Sequence, residues 1–160
     1  MVHNNMCMKN VNAIANIDAL DESRRVVSEI NGETMEKKIP LESVKELLVS
    51  FSASIINGTE KFFTKYHKLY FQLRITDENG NSNSHLVLNE YCLDMEDESK
   101  YHKTALVDYI YFRDMFILNF DTNDIEKSKE YNLNVLIKTE QDIDENNGWT
   151  IQSVIPLNFI

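Results

Sequence analysis

Leu69-Tyr70-Phe71-Gln72-Leu73-Arg74-Ile75-Thr76 alternates apolar and polar residues without a break. Successive side chains of a strand point to opposite faces, so this stretch reads as a strand with one buried and one outward side. The same beat returns in Tyr131, Leu133, Val135 and Ile137, and again in Ile151, Ser153, Ile155, Leu157 and Phe159. Val11 to Ala19 suggests a weaker, alanine-rich first strand, and further strands are read near 49–56, 67–76, 85–93, 104–112, 115–121, 131–139 and 149–159. Turn signals separate them: Asp77-Glu78-Asn79-Gly80-Asn81, Arg113-Asp114 and Asn146-Asn147-Gly148. Short strands at such spacing predict an all-β fold, an antiparallel β-sandwich of about eight or nine short strands.

Two segments add detail. Val26, Ser28, Ile30 and Met35, Lys37, Ile39 flank Asn31-Gly32-Glu33-Thr34, and Asn-Gly favours hairpins because both residues tolerate positive φ. A four-residue loop opposes Ile30 to Met35 and Val26 to Ile39, with a two-residue turn as the competing register. After Pro40, Leu41, Val44, Leu47, Leu48 and Phe51 follow helical spacing. Proline is tolerated at a first helical position, so one short helix is expected over 41–48, running into a strand over 49–56. Residues 122–130 suit one helical turn capped by Thr122 or Asn123. Residues 1–10 read as a flexible N-terminal tail and 11–160 as a single domain, with no internal repeat.

Composition narrows the class of protein. With 42% hydrophobic residues in 160, the chain can bury a core without disulfides or metals. Two cysteines, Cys7 and Cys92, read as free thiols of a reducing compartment. The start, MVHNNMCMKN, lacks the apolar stretch of a secretory signal. No run approaches the ~18 apolar residues of a membrane helix. The expectation is a cytoplasmic protein with no membrane partner. Sixteen basic against 26 acidic residues give a formal charge of −10, which repels nucleic-acid phosphates. That charge also admits an acidic inhibitor that imitates nucleic acid.

The chemistry excluded is extensive. Gly32, Gly58, Gly80 and Gly148 are the only glycines, too scattered for a phosphate-binding loop or a dinucleotide fingerprint. The same scarcity removes the GxSxG elbow, and no HExxH helix occurs. His3, His67, His85 and His102 share no metal-ligand spacing. His102 and Cys92 flank the acidic run Asp94-Met95-Glu96-Asp97-Glu98. An enzyme reading therefore rests on His102 with Glu96 or Asp97, joined in a pocket the sequence does not reveal.

Acidic residues concentrate in the connections at 94–98, 121–126 and 140–145. Calcium takes six to eight oxygen ligands, often loop carboxylates. If consecutive strands run antiparallel, the 94–98 and 121–124 loops share one pole, making Asp94, Asp97, Asp121 and Asp124 a candidate calcium set. The detailed motifs are poor: Asp142-Ile143-Asp144-Glu145-Asn146-Asn147-Gly148 places its glycine one position late and has no closing glutamate. No other cofactor is implied.

The stretch 61–76, KFFTKYHKLYFQLRIT, reverses the charge, with Lys61, Lys65, Lys68 and Arg74 and no carboxylate. Aromatics interleave with the cations, as in single-strand nucleic-acid binders, but on a −10 chain a protein partner fits better. Tyr109 and Tyr111 share a face opposite Ile110 and Phe112, and Met115 and Ile117 lie opposite Phe116 and Leu118. Strands apolar on both sides are either covered twice or exposed as an interface. The 41–48 helix is expected to cover one of them, and self-association the other. The resulting expectation is a non-catalytic protein-binding or assembly module, pairing with another protein or with itself, through Lys65, Lys68, Tyr70, Arg74, Tyr109 and Tyr111.

Overall fold

The computed structural model describes residues 10–56, 66–81, 86–97, 102–104, 109–127, 129–140 and 148–160. In chain order the strands are β1 (Val11–Leu20), β2 (Glu29–Ile30), β3 (Lys37–Ile39), β4 (Glu46–Ile56), β5 (Lys68–Asp77), β6 (Val87–Asp94), β7 (His102–Thr104), β8 (Tyr109–Asn119), β9 (Tyr131–Thr139) and β10 (Thr150–Phe159). They form a four-stranded sheet, β1-β4-β8-β7, and a six-stranded sheet, β2-β3-β10-β9-β5-β6. Neighbours run antiparallel except β3 and β10, which pair in parallel. The β-sandwich expected from alternation is present.

The inward faces follow from period two. In the four-stranded sheet Val11, Ala13, Ala15, Ile17 and Ala19 of β1 lie beside Ile55, Ala53, Phe51, Val49 and Leu47 of β4, all buried. The six-stranded sheet supplies Leu69, Phe71, Leu73 and Ile75 of β5, and Tyr131, Leu133, Val135 and Ile137 of β9. Alanines on β1 let that edge approach β9 and β10, where Gln152 Nε2 donates to the Val11 carbonyl at 2.9 Å. On the opposite side, Tyr91 of β6 stacks on Phe51 at 4.8 Å and meets Phe112 edge-on at 5.3 Å. Near the other end, the buried Lys37 pairs with Asp18 at 3.0 Å and joins β3 to β1. No helix of the described residues is long and apolar enough to cross a membrane.

Four local expectations are corrected. The 41–48 helix does not form: Val44 N–H bonds the Pro40 carbonyl in a turn, and β4 begins at Glu46. Leu41, Val44 and Leu47 match helical spacing, but Leu47 onward also alternates. Pairing of β4 along its whole length with both β1 and β8 decides for strand. Arg113-Asp114 is no turn. It lies mid-way along β8, opposite Ser52 and Phe51, so the two expected strands are one.

The Asn-Gly hairpin exists in a third register. Ile30 faces Lys37, and the loop closes through Asn31 N–H to the Glu36 carbonyl, with positive φ at Met35. Val26 bridges Leu20 rather than Ile39. Over 121–127 a turn replaces the helical one: Ile125 N–H bonds the Thr122 carbonyl, and Asp121 Oδ1 accepts from Asn123 N–H.

Candidate functional site

β8 runs along the four-stranded sheet with alternate residues on opposite faces. Ile110, Phe112, Phe116 and Leu118 turn toward the core, while Tyr109, Tyr111, Arg113, Met115 and Ile117 point outward. Next to them on the same outer face, β4 presents Ser54, Ser52 and Ser50, and beyond these β1 presents Asn12, Ile14 and Asn16. Three small residues in a row between two bulkier strands leave a groove. Its two adjoining hollows, about 380 and 230 Å³, share Ile14, Ser52 and Arg113.

This face is apolar where it is not hydroxyl or amide. Ile14, Met115 and Ile117 are 55%, 67% and 42% exposed. The Arg113 guanidinium lies 5.7 Å from the Tyr111 ring centre, a cation–π stack that holds the charge along the surface. From the Asn12–Ser54–Tyr111 row to the Asn16–Ser50–Met115 row no carboxylate points outward. The next row carries Asp18, in line with Leu48 and Ile117, so Arg113 is the charged side chain of the groove itself.

The residues proposed from sequence divide between two sides of the sandwich. Tyr109 and Tyr111 line the groove. Lys68, Tyr70 and Arg74 alternate with the buried Leu69, Phe71 and Leu73, and so point outward from the six-stranded sheet. Lys65 falls outside the described residues. Tyr70 faces the exposed Cys92 across the β5–β6 ladder; burial, then the neighbouring thiol, raise its phenol pKa above the ordinary value. Ile14 and the three serines were missed, whereas Met115 was read as one side of a strand apolar on both faces but was not named among the binding residues. The signal for them was the Ser50-Phe51-Ser52-Ala53-Ser54 alternation, once β4 is placed between two other strands.

The acidic loops separate as well. Met95 N–H bonds the His67 carbonyl, and His67 N–H bonds Glu140, which places Asp94 and Asp97 at the end of the sandwich where β5 begins. At the opposite end, Asp124 lines a hollow of about 280 Å³ with Asp77 and Lys129. Asp121 follows β8 at that same end. The shared pole expected for Asp94, Asp97, Asp121 and Asp124 is therefore corrected. Reading β8 as two strands reversed the end assigned to every later loop. Asp94 and Asp121 each accept a backbone N–H two residues on, at 3.0 and 2.9 Å. Among the described residues no three His, Cys, Asp or Glu side chains lie together to hold a metal ion. His102, in β7, pairs with Tyr111.

No protein family and no curated protein matches the sequence. Solved structures that resemble the chain include a bacterial adhesin from Mobiluncus mulieris with disulfide, isopeptide and ester cross-links. It is 7% identical, with 94% of this chain and 58% of that chain covered, at a TM-score of 0.41. A Northeast Structural Genomics Consortium target is 11% identical over 94% of this chain and 87% of that one, at a TM-score of 0.31.

Proposed function

We propose that this chain is a non-catalytic binding or assembly module that engages protein through the outer face of its four-stranded sheet. The observation that carries this reading is the exposed pair Ile14 and Met115, lining one groove whose outward rows carry no carboxylate, with the exposed Ile117 beside it in the row that holds Asp18. Exposed apolar side chains scattered singly mean little, whereas a contiguous patch marks an interaction surface. The helix expected to cover β8 is absent from 41–48, so that region gives this face no intramolecular cover.

The test is capture from a lysate of the native cell with tagged wild type and with Met115→Asp. Met115 is outward and two-thirds exposed, so the substitution leaves the core alone. Loss of a stoichiometric protein on Met115→Asp alone supports the reading. Identical capture by both proteins, or recovery of nucleic acid through Lys68 and Arg74, rejects it.

A further inference from the structure

Independently of any partner, we infer that Asn31 is a site of self-modification. The Gly32 nitrogen attacks the Asn31 side-chain amide, ammonia leaves, and water opens the resulting ring to aspartate or isoaspartate.

Each of the four glycines follows an asparagine. That pairing is the one most open to this chemistry, because no Cβ shields the following nitrogen. Asn57 and Asn147 lie outside the described residues, which leaves Asn31-Gly32 and Asn79-Gly80. The dipeptides are identical, but their surroundings are opposite.

At Asn31 the side chain folds over the next peptide, with Oδ1 accepting Glu33 N–H at 3.0 Å. Such an Asx turn brings Cγ close to the Gly32 nitrogen, and closeness of the reacting atoms governs intramolecular rates. The attack places negative charge on Oδ1. Glu33 N–H already points at that atom, as an oxyanion donor must. Gly32 N–H has no hydrogen-bond partner among the described residues, and a Cβ built on Gly32 would meet nothing within 4 Å. The nitrogen is therefore free to lose its proton and to move. At Asn79 the order is reversed. Gly80 N–H donates to the Asp77 carbonyl at 3.0 Å, which holds the proton that must leave. No donor reaches Asn79 Oδ1 among the described residues.

The steps need no reactant but water. As the Gly32 nitrogen bonds to Asn31 Cγ, the old Cγ–N bond breaks. The displaced nitrogen takes the Gly32 proton and leaves as ammonia. Water then opens the cyclic imide at either carbonyl, giving aspartate when it attacks Cγ. Attack at the other carbonyl leaves the main chain running, lengthened, through Cγ. It also frees the Asn31 main-chain carbonyl, which accepts Met35 N–H at 2.8 Å, as a carboxylate. β2 pairs with β3 only through Glu29 and Ile30, so the lengthened loop loosens β2, while β3 keeps its parallel pairing to β10. Either product adds a negative charge to a hairpin that already carries Glu29, Glu33 and Glu36.

Peptide mapping of the full chain reads the outcome, with samples drawn over weeks from warm neutral buffer and, in parallel, from urea. The gain in peptide mass marks conversion, and isoaspartate elutes apart from aspartate. In the folded chain Asn31 is expected to convert on the order of tenfold faster than Asn79, the factor that one hydrogen bond to a developing charge supplies. In urea, where the dipeptide alone counts, the two rates converge. Gly32→Ala, for which the site has room, puts a Cβ against the attack and slows Asn31 several-fold with unchanged circular dichroism. Equal folded rates at Asn31 and Asn79, or an Asn31 that converts in urea but not in the folded chain, overturn the inference. So does conversion at Asn31 that is indifferent to Gly32→Ala.

Discussion

The two outer faces of this sandwich are built from the same alternation and finished differently. On the six-stranded sheet Gln72, Thr76, Asn134 and Leu136 point away from the core yet are each less than a tenth exposed. Asn134 Nδ2 donates to Thr76 Oγ1 at 2.6 Å, Gln72 donates to Glu90, and Lys138 lies 4.4 Å over the Trp149 ring. These contacts tie part of that surface together, while Gln72 Oε1 and Arg74 Nε are buried on it with no hydrogen-bond partner among the described residues. The four-stranded sheet has serines at the matching central positions, and its flanking isoleucine and methionine side chains remain in water. The residues that point outward from the two sheets thus differ in how far they are shielded from water within the chain.

The sharpest way to break that contrast is one substitution made on both faces. Leu136→Asp places an unpaired carboxylate where there is almost no water and costs about 3 kcal/mol or more. Met115→Asp changes stability by less than about 0.5 kcal/mol. Urea midpoints of the two variants measure the difference, and equal values would erase it. Next in size, Asn134→Ala strands the Thr76 hydroxyl and costs about 1–3 kcal/mol. Asn134→Leu with Thr76→Val removes both partners and restores most of that loss, as a thermal melt would show.

A third effect depends on pH. Tyr91 OH donates to Asp114 Oδ2 at 2.7 Å, and burial followed by this bond raise its phenol pKa above the usual tyrosine value. A raised folded pKa gives stability that is fully present below about pH 10 and lost as pH climbs beyond it. Tyr91→Phe is expected to cost about 1–2 kcal/mol at neutral pH. The gap between variant and wild type then narrows above pH 10, checked by urea titrations from pH 8 to 11. Smallest is Ser52→Val, which suits a central strand and shifts stability by only a few tenths of a kcal/mol. Under the proposed binding reading its larger effect is on partner capture from lysate, because it makes the groove shallower.

Much of this fold was legible because one face of each long strand is uniformly apolar. Leu69 to Ile75 and Tyr131 to Ile137 point as period two requires. In β10 a register shift between Ile151 and Ser153 breaks the phase, which leaves Ile151 exposed while Leu157 and Phe159 are buried. The errors came where local chemistry opposed pairing. Arg113-Asp114 looks like a turn because both residues are charged, yet the even-numbered apolar residues keep one phase from Ile110 through Phe120, as a single strand must. The 41–48 stretch satisfied two periods at once, and only tertiary pairing chooses between them. The groove was harder to see because serines announce nothing until their neighbours across the sheet are known.

Asp114 is the one charged residue in the inward apolar series of β8, and it has a consequence for growth. β7 pairs with β8 only as far as Tyr111, so among the described residues Phe112–Asn119 has no strand on that side. The carboxylate stands there, with Tyr91 on one oxygen and the Met115 N–H on the other. A chain adding itself to this margin would have to desolvate that charge and displace both bonds, and inward charges are a known guard on sheet edges. Asp114 thus keeps the open margin of β8 from serving as a template for a further strand.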